Sequence, residues 1–139
     1  MRYTMLLWPH ANARYQSQSL KLAQAELQLM LARIAPDARA LPGALDMPSL
    51  DVEFAEPPQP RAIDALCRHS LMYGLFESRG DGLLAPVAGR GRVRLGDDLP
   101  AVLKYKGKTN EMFLQLLINA ALYSGDYWGE EEGRLTFLD

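Results

Sequence analysis

Three arginines at alternate positions, Arg90, Arg92 and Arg94, open a segment that closes with three alternating lysines, Lys104, Lys106 and Lys108. On an extended backbone successive side chains point to opposite faces, so each row presents its cations on one side. Phosphates need such rows, because every phosphate neutralised by Lys or Arg releases condensed counterions. From Arg90 to Lys108 there are six basic and two acidic residues, a local balance of +4 in a chain of net charge −2. The rest of the protein therefore carries −6, and the basic segment stands apart from it. A strand edge protected by charge would read the same way.

Other candidates are less telling. Lys108 and Thr109 complete "GKT", but a phosphate-binding P-loop needs glycine five residues before Gly107, where Val102 stands. What remains is a basic loop leading to a helix N-terminus, where backbone N–H groups favour anions or polar ligands. Glu111, Gln115 and Asn119 recur every four residues as one polar stripe on that helix, facing solvent, a partner domain or a ligand. His10 and His69 have no metal-ligand partner at short spacing, and both read as structural or surface residues. Neither Cys67 nor Ser70 lies in a nucleophile motif. No catalytic set and no metal site is expected.

The elements that must carry these residues follow from periodicity. Tyr3 to Trp8 is strand-like. Leu20, Ala23, Leu27, Met30, Leu31 and Ile34 recur at helical spacing, with Ser17 or Ser19 as the expected cap. The "APDARALPGALDMP" stretch reads as loop. Leu50, Val52 and Phe54 alternate on a half-buried strand, and a short helix is expected over Arg61–His69. "SLMYGLFES" and "LLAPVAG" flank "RGDG", whose Asp81-Gly82 supplies turn chemistry for a hairpin. The order β-α-β-α-β-β is close to a ferredoxin-like α+β domain. Beyond it, "GRGRVRL" reads as extended. Thr109 is the expected cap of a long helix, apolar almost all round and hence deeply buried. An apolar strand over Leu135–Leu138 is expected last.

Composition narrows the class. With 139 residues, 48% of them apolar and 23% charged, the chain suits a folded domain with a real core. One cysteine excludes a disulfide framework and suggests a reducing, cytoplasmic setting. No stretch approaches the eighteen or so apolar residues of a membrane span, so no membrane partner is expected.

"LKYKGKTNEMFLQLLINAAL" followed by "RLTFLD" resembles the segment just before S-adenosylmethionine binding motif I in class I RNA methyltransferases related to tRNA guanosine-N2 methyltransferases. The resemblance covers roughly residues 102 to 139. It implies an α+β substrate-side domain over 1–89, a basic connector over 90–108 and the start of an incomplete Rossmann-like methyltransferase domain over 109–139. In the complete enzyme Lys108, Thr109 and Asn110 would lie near the S-adenosylmethionine pocket, and Asp139 would begin motif I. RNA (tRNA or rRNA) would be held by Arg90, Arg92, Arg94, Lys104 and Lys106. The family's glycine-rich turn does not follow Asp139, so this chain by itself is expected neither to bind the cofactor tightly nor to catalyse. Its apolar residues 109–139 would fold back onto the α+β domain or pair between two copies as a homodimer. The alternative is a stand-alone ferredoxin-like protein-interaction or oligomerisation module.

Overall fold

The computed structural model describes residues 1–10, 12–87 and 110–125. Among these residues five strands and three helices follow in the order β1 (Arg2–Leu7), α1 (Ala13–Ile34), β2 (Arg39–Pro42), β3 (Ser49–Glu53), α2 (Pro60–Leu66), β4 (Met72–Ser78), β5 (Leu84–Pro86) and α3 (Glu111–Ser124). The strands form one antiparallel sheet in the order β2-β3-β1-β4-β5. This α+β arrangement is compatible with a ferredoxin-like fold, to which β5 adds an outer strand.

Strand β1 sits at the centre because its neighbours on both sides match its period. Tyr3 pairs with Val52 and Glu77, and Met5 pairs with Leu50 and Leu75. Odd-numbered β1 side chains therefore point toward the helices, where Tyr3, Met5, Leu7, Leu50, Val52, Phe54, Met72 and Leu75 meet Ala23, Leu27 and Leu31 of α1 and Leu66 of α2. Fully burying one such side chain stabilises by about 1.5–3 kcal/mol. This cluster contains no residue of α3.

On the opposite face, Thr4 lies across from Asp51. The alternation in β3 places Asp51 outward, as at a solvated surface, yet it is 1% exposed. It stays satisfied because Arg2 Nη2 (2.5 Å), Thr4 Oγ1 (2.7 Å) and the Ala44 backbone N–H (3.2 Å) all donate to it. The Arg2 guanidinium is in turn pushed up from its ordinary pKa, first by this hydrogen bond and then by the attraction of the carboxylate.

Several sequence expectations need correction. Helix α1 starts earlier than Ser17 or Ser19. Asn12 caps it, its side chain accepting from the N–H groups of Arg14 (2.9 Å) and Tyr15 (3.4 Å). The first two turns are polar and so carry no apolar period to reveal them. Strand β2 lies inside the stretch read as loop; among the described residues it pairs only with β3, and it ends in Pro42, which an edge strand tolerates. Helix α2 ends at Leu66, before His69. The "RGDG" turn holds: Gly80, Asp81 and Gly82 all take positive φ, and Leu83 N–H donates to Gly80 O at 2.9 Å. The extended reading of "GRGRVRL" and the terminal strand lie outside the described residues.

Candidate functional site

Glu26 projects from the buried side of α1, in step with Ala23, Leu27 and Met30, and is 5% exposed. A carboxylate there must find donors or stay out of the core. It finds four. The Oε1 atom accepts from Ser70 N–H (2.9 Å) and from the Asn119 carboxamide nitrogen (2.6 Å). The Ser70 hydroxyl donates to Oε2, and His69 Nε2 lies 3.5 Å from the same oxygen. His69 Nε2 also sits 3.0 Å from Ala23 O, while its Nδ1 accepts from Leu71 N–H at 3.3 Å. A carbonyl only accepts, so the ring proton is on Nε2, and the imidazole is the neutral tautomer that both contacts require.

These residues could pass for a Ser–His–acid triad, but the geometry says otherwise. The serine proton is committed to Glu26, and the ring nitrogens of His69 pair with Ala23 O and Leu71 N–H rather than with the Ser70 hydroxyl. A base that activates serine must accept that proton. His69 is also 1% exposed, away from any substrate. The cluster is a structural pin. Among the described residues no group of three or more His, Cys, Asp or Glu could hold a metal ion.

Desolvation pushes the His69 pKa below its ordinary value, and the nearby Glu26 carboxylate only partly offsets this. The unfolded chain therefore takes up the His69 proton more readily than the folded one. Stability contributed by the neutral ring is fully present above the unfolded value of about 6.5 and is lost as pH falls toward the lowered folded value. The melting temperature should accordingly drop between pH 7.5 and 5.5, and His69→Gln should flatten that dependence. An equal slope in wild type and variant would assign the acid sensitivity to other groups.

The pin fastens α3. Besides Asn119, which also donates to Arg68 O (2.9 Å), Gln115 donates to Arg68 O (2.7 Å). At the other end Arg33 Nε donates to Tyr123 O (3.2 Å), satisfying a helix-terminal carbonyl. Tyr123 is buried, and desolvation pushes its phenol up to about 12. The polar stripe foreseen at Glu111, Gln115 and Asn119 thus splits. Gln115 and Asn119 face the domain, whereas Glu111 is exposed.

The helix is mounted with its polar side in and its apolar side out. Phe113, Leu114, Leu117 and Ile118 are all exposed, on the side away from Gln115 and Asn119. The expectation of a deeply buried α3 is corrected: only Asn119 and Tyr123 are buried. The capping residue is Asn110 rather than Thr109, its Oδ1 accepting from Phe113 N–H at 3.2 Å.

Of the site residues expected from sequence, Asn110 is therefore placed, as an N-cap. Lys108, Thr109, Asp139, Arg90, Arg92, Arg94, Lys104 and Lys106 lie outside the described residues. Sequence reasoning missed Glu26, a charged residue inside the apolar stripe of α1. Its spacing of three from Ala23 and four from Met30 was the available signal.

Comparison of the chain with protein-family models, curated proteins and solved structures finds no match. Among the described residues no helix is long and apolar enough to cross a membrane.

Proposed function

We propose that the chain is the N-terminal, RNA-positioning part of an S-adenosylmethionine-dependent RNA methyltransferase, with residues 1–89 as a ferredoxin-like substrate-side domain. The observation that carries this reading is α3. A helix hydrogen-bonded to one domain through Gln115 and Asn119 while displaying Phe113, Leu114, Leu117 and Ile118 suits a position between two layers. A contiguous apolar face of this kind marks an interaction surface. In the sequence resemblance, the same helix stands directly before the first strand of the catalytic sheet. The exposed face is where that sheet would lie, and motif I, from Asp139 onward, would bring the cofactor.

RNA would be engaged through Arg90, Arg92, Arg94, Lys104 and Lys106, with Lys108, Thr109 and Asn110 nearer the cofactor. Replacing Arg90, Arg92 and Arg94 by Ala should weaken binding of mixed tRNA at low salt and reduce the salt slope by up to about one unit per lost phosphate contact. Absence of binding at low salt, or a triple variant that binds as tightly as wild type, would remove the phosphate role.

The exposed face of α3 also favours a second reading, an interaction module that forms a homodimer through residues 109–139. A symmetric contact would place the same apolar patch of each copy against the other.

A further inference from the structure

Beside the pin, a cleft of about 420 Å³ opens between the end of β1, the start of α1 and the N-terminus of α3. Its size lies within the range of about 300–1,000 Å³ usual for small-molecule sites. Trp8, Tyr15 and Phe113 line it and remain 43%, 58% and 48% exposed. Three half-open rings gathered around one cleft form an apolar surface of the kind that lines ligand sites. Trp8 is held by its backbone N–H to Leu71 O (3.0 Å) and by an edge contact with Tyr73, ring centroids 4.7 Å apart at 79°. Tyr15 is steadied by His10, at 5.3 Å between centroids. The rings are propped from behind and open in front.

We propose that this cleft binds one unpaired nucleobase of an RNA strand, stacked against Trp8 and Tyr15. Aromatic faces take any base, because every base has a π-face, and proteins read single-stranded RNA by splaying bases onto such rings. The polar groups fit as well. Asn110 uses its carboxamide oxygen to cap α3. Its nitrogen, like the Ser19 hydroxyl, makes no hydrogen bond to another described residue and can meet the edge of a base. The lining holds no carboxylate, and Arg14 and Lys21 are exposed on α1, about 100° around the helix from Tyr15 and Leu22, where they outnumber the exposed Glu111 beside Asn110. An acidic or purely apolar partner would use only part of this set. The proposal deepens the RNA reading above, but its central test needs no phosphate.

That test follows the Trp8 indole N–H resonance of the full chain during titration with adenosine. Binding should shift it, and Tyr15→Ala should abolish the shift while Tyr15→Phe, which keeps the ring, retains it. Both variants should melt as wild type does, since Tyr15 lies outside the core cluster. In a second arm, a short single-stranded oligoadenylate is compared with an abasic strand of the same length and charge. Trp8→Ala and Tyr15→Ala should each weaken the oligoadenylate about 5- to 150-fold and leave the abasic strand unchanged. No adenosine shift, equal binding of the two strands, or an equal shift with N-acetyltryptophanamide would overturn the proposal, the last in favour of docking a protein side chain. If adenosine binds but the strands show no salt dependence, the cleft stands and the basic row loses its role. If both strands bind equally, the reverse holds.

Discussion

Glu26→Ala should lower the stability of the protein by about 3–5 kcal/mol, a large share of the 5–15 kcal/mol that typically separates folded from unfolded chains. The side chain accepts from Ser70 N–H, the Ser70 hydroxyl and Asn119, and both donor residues are buried. Each buried donor left without a partner costs about 1–3 kcal/mol. Asn119 keeps Arg68 O and His69 keeps Ala23 O, so the loss falls mainly on Ser70. Glu26→Gln should cost less, because one oxygen persists, although its new N–H₂ would face the Nε2–H of His69. Urea unfolding checks this: the midpoint should move while the slope stays constant. In a double-mutant cycle Glu26→Ala and Asn119→Ala should be clearly non-additive, since they share one hydrogen bond. A loss below 1 kcal/mol for Glu26→Ala would mean that water enters and satisfies the cluster.

Truncation after Gly89 should leave a folded α+β domain that is more soluble and monomeric. The core cluster draws on α1, α2 and the helix-facing side of the sheet but on nothing in α3. What the domain loses is Asn119 from the pin, the bonds from Gln115 and to Tyr123, and the cover that Tyr123 provides. What it sheds is the apolar face of Phe113, Leu114, Leu117 and Ile118. Circular dichroism should keep its helix and strand signature with a lower melting temperature, and sedimentation should show a single monomeric species. Unfolding of residues 1–89 would make α3 part of one indivisible core and favour the interaction-module reading. A full-length chain that sediments as a dimer while the truncated one does not would identify the α3 face as the contact between copies.

Much of the fold was legible in the order of residues. The alternation of Leu50, Val52 and Phe54, the helical spacing from Leu20 to Ile34 and the glycine and aspartate of the hairpin turn each carry a local signal, because one face of each element is buried and the other is not. Strand β2 carried none: four residues paired on one side, ending in proline, leave too short a pattern to distinguish from loop. The start of α1 was hidden for the same reason, since polar turns have no apolar period and several residues compete as caps.

For the site, residue order shows only which groups are available: a glutamate on α1, His69 and Ser70 before β4, and a polar stripe on an otherwise apolar helix. How they are used depends on which elements the fold brings together. Hydrophobicity alone orients α3 with its apolar side inward, but Glu26 sits on the surface that α3 meets, and a buried carboxylate without donors costs more than an exposed leucine. Asn119 and Gln115 therefore turn inward, and the apolar side turns out. The same choice sets Phe113, far along the chain, beside Trp8 and Tyr15 in one cleft. Periodicity reports which face of a helix is apolar. It does not report what that face will meet, because the competing cost lies on another element, more than eighty residues away along the chain.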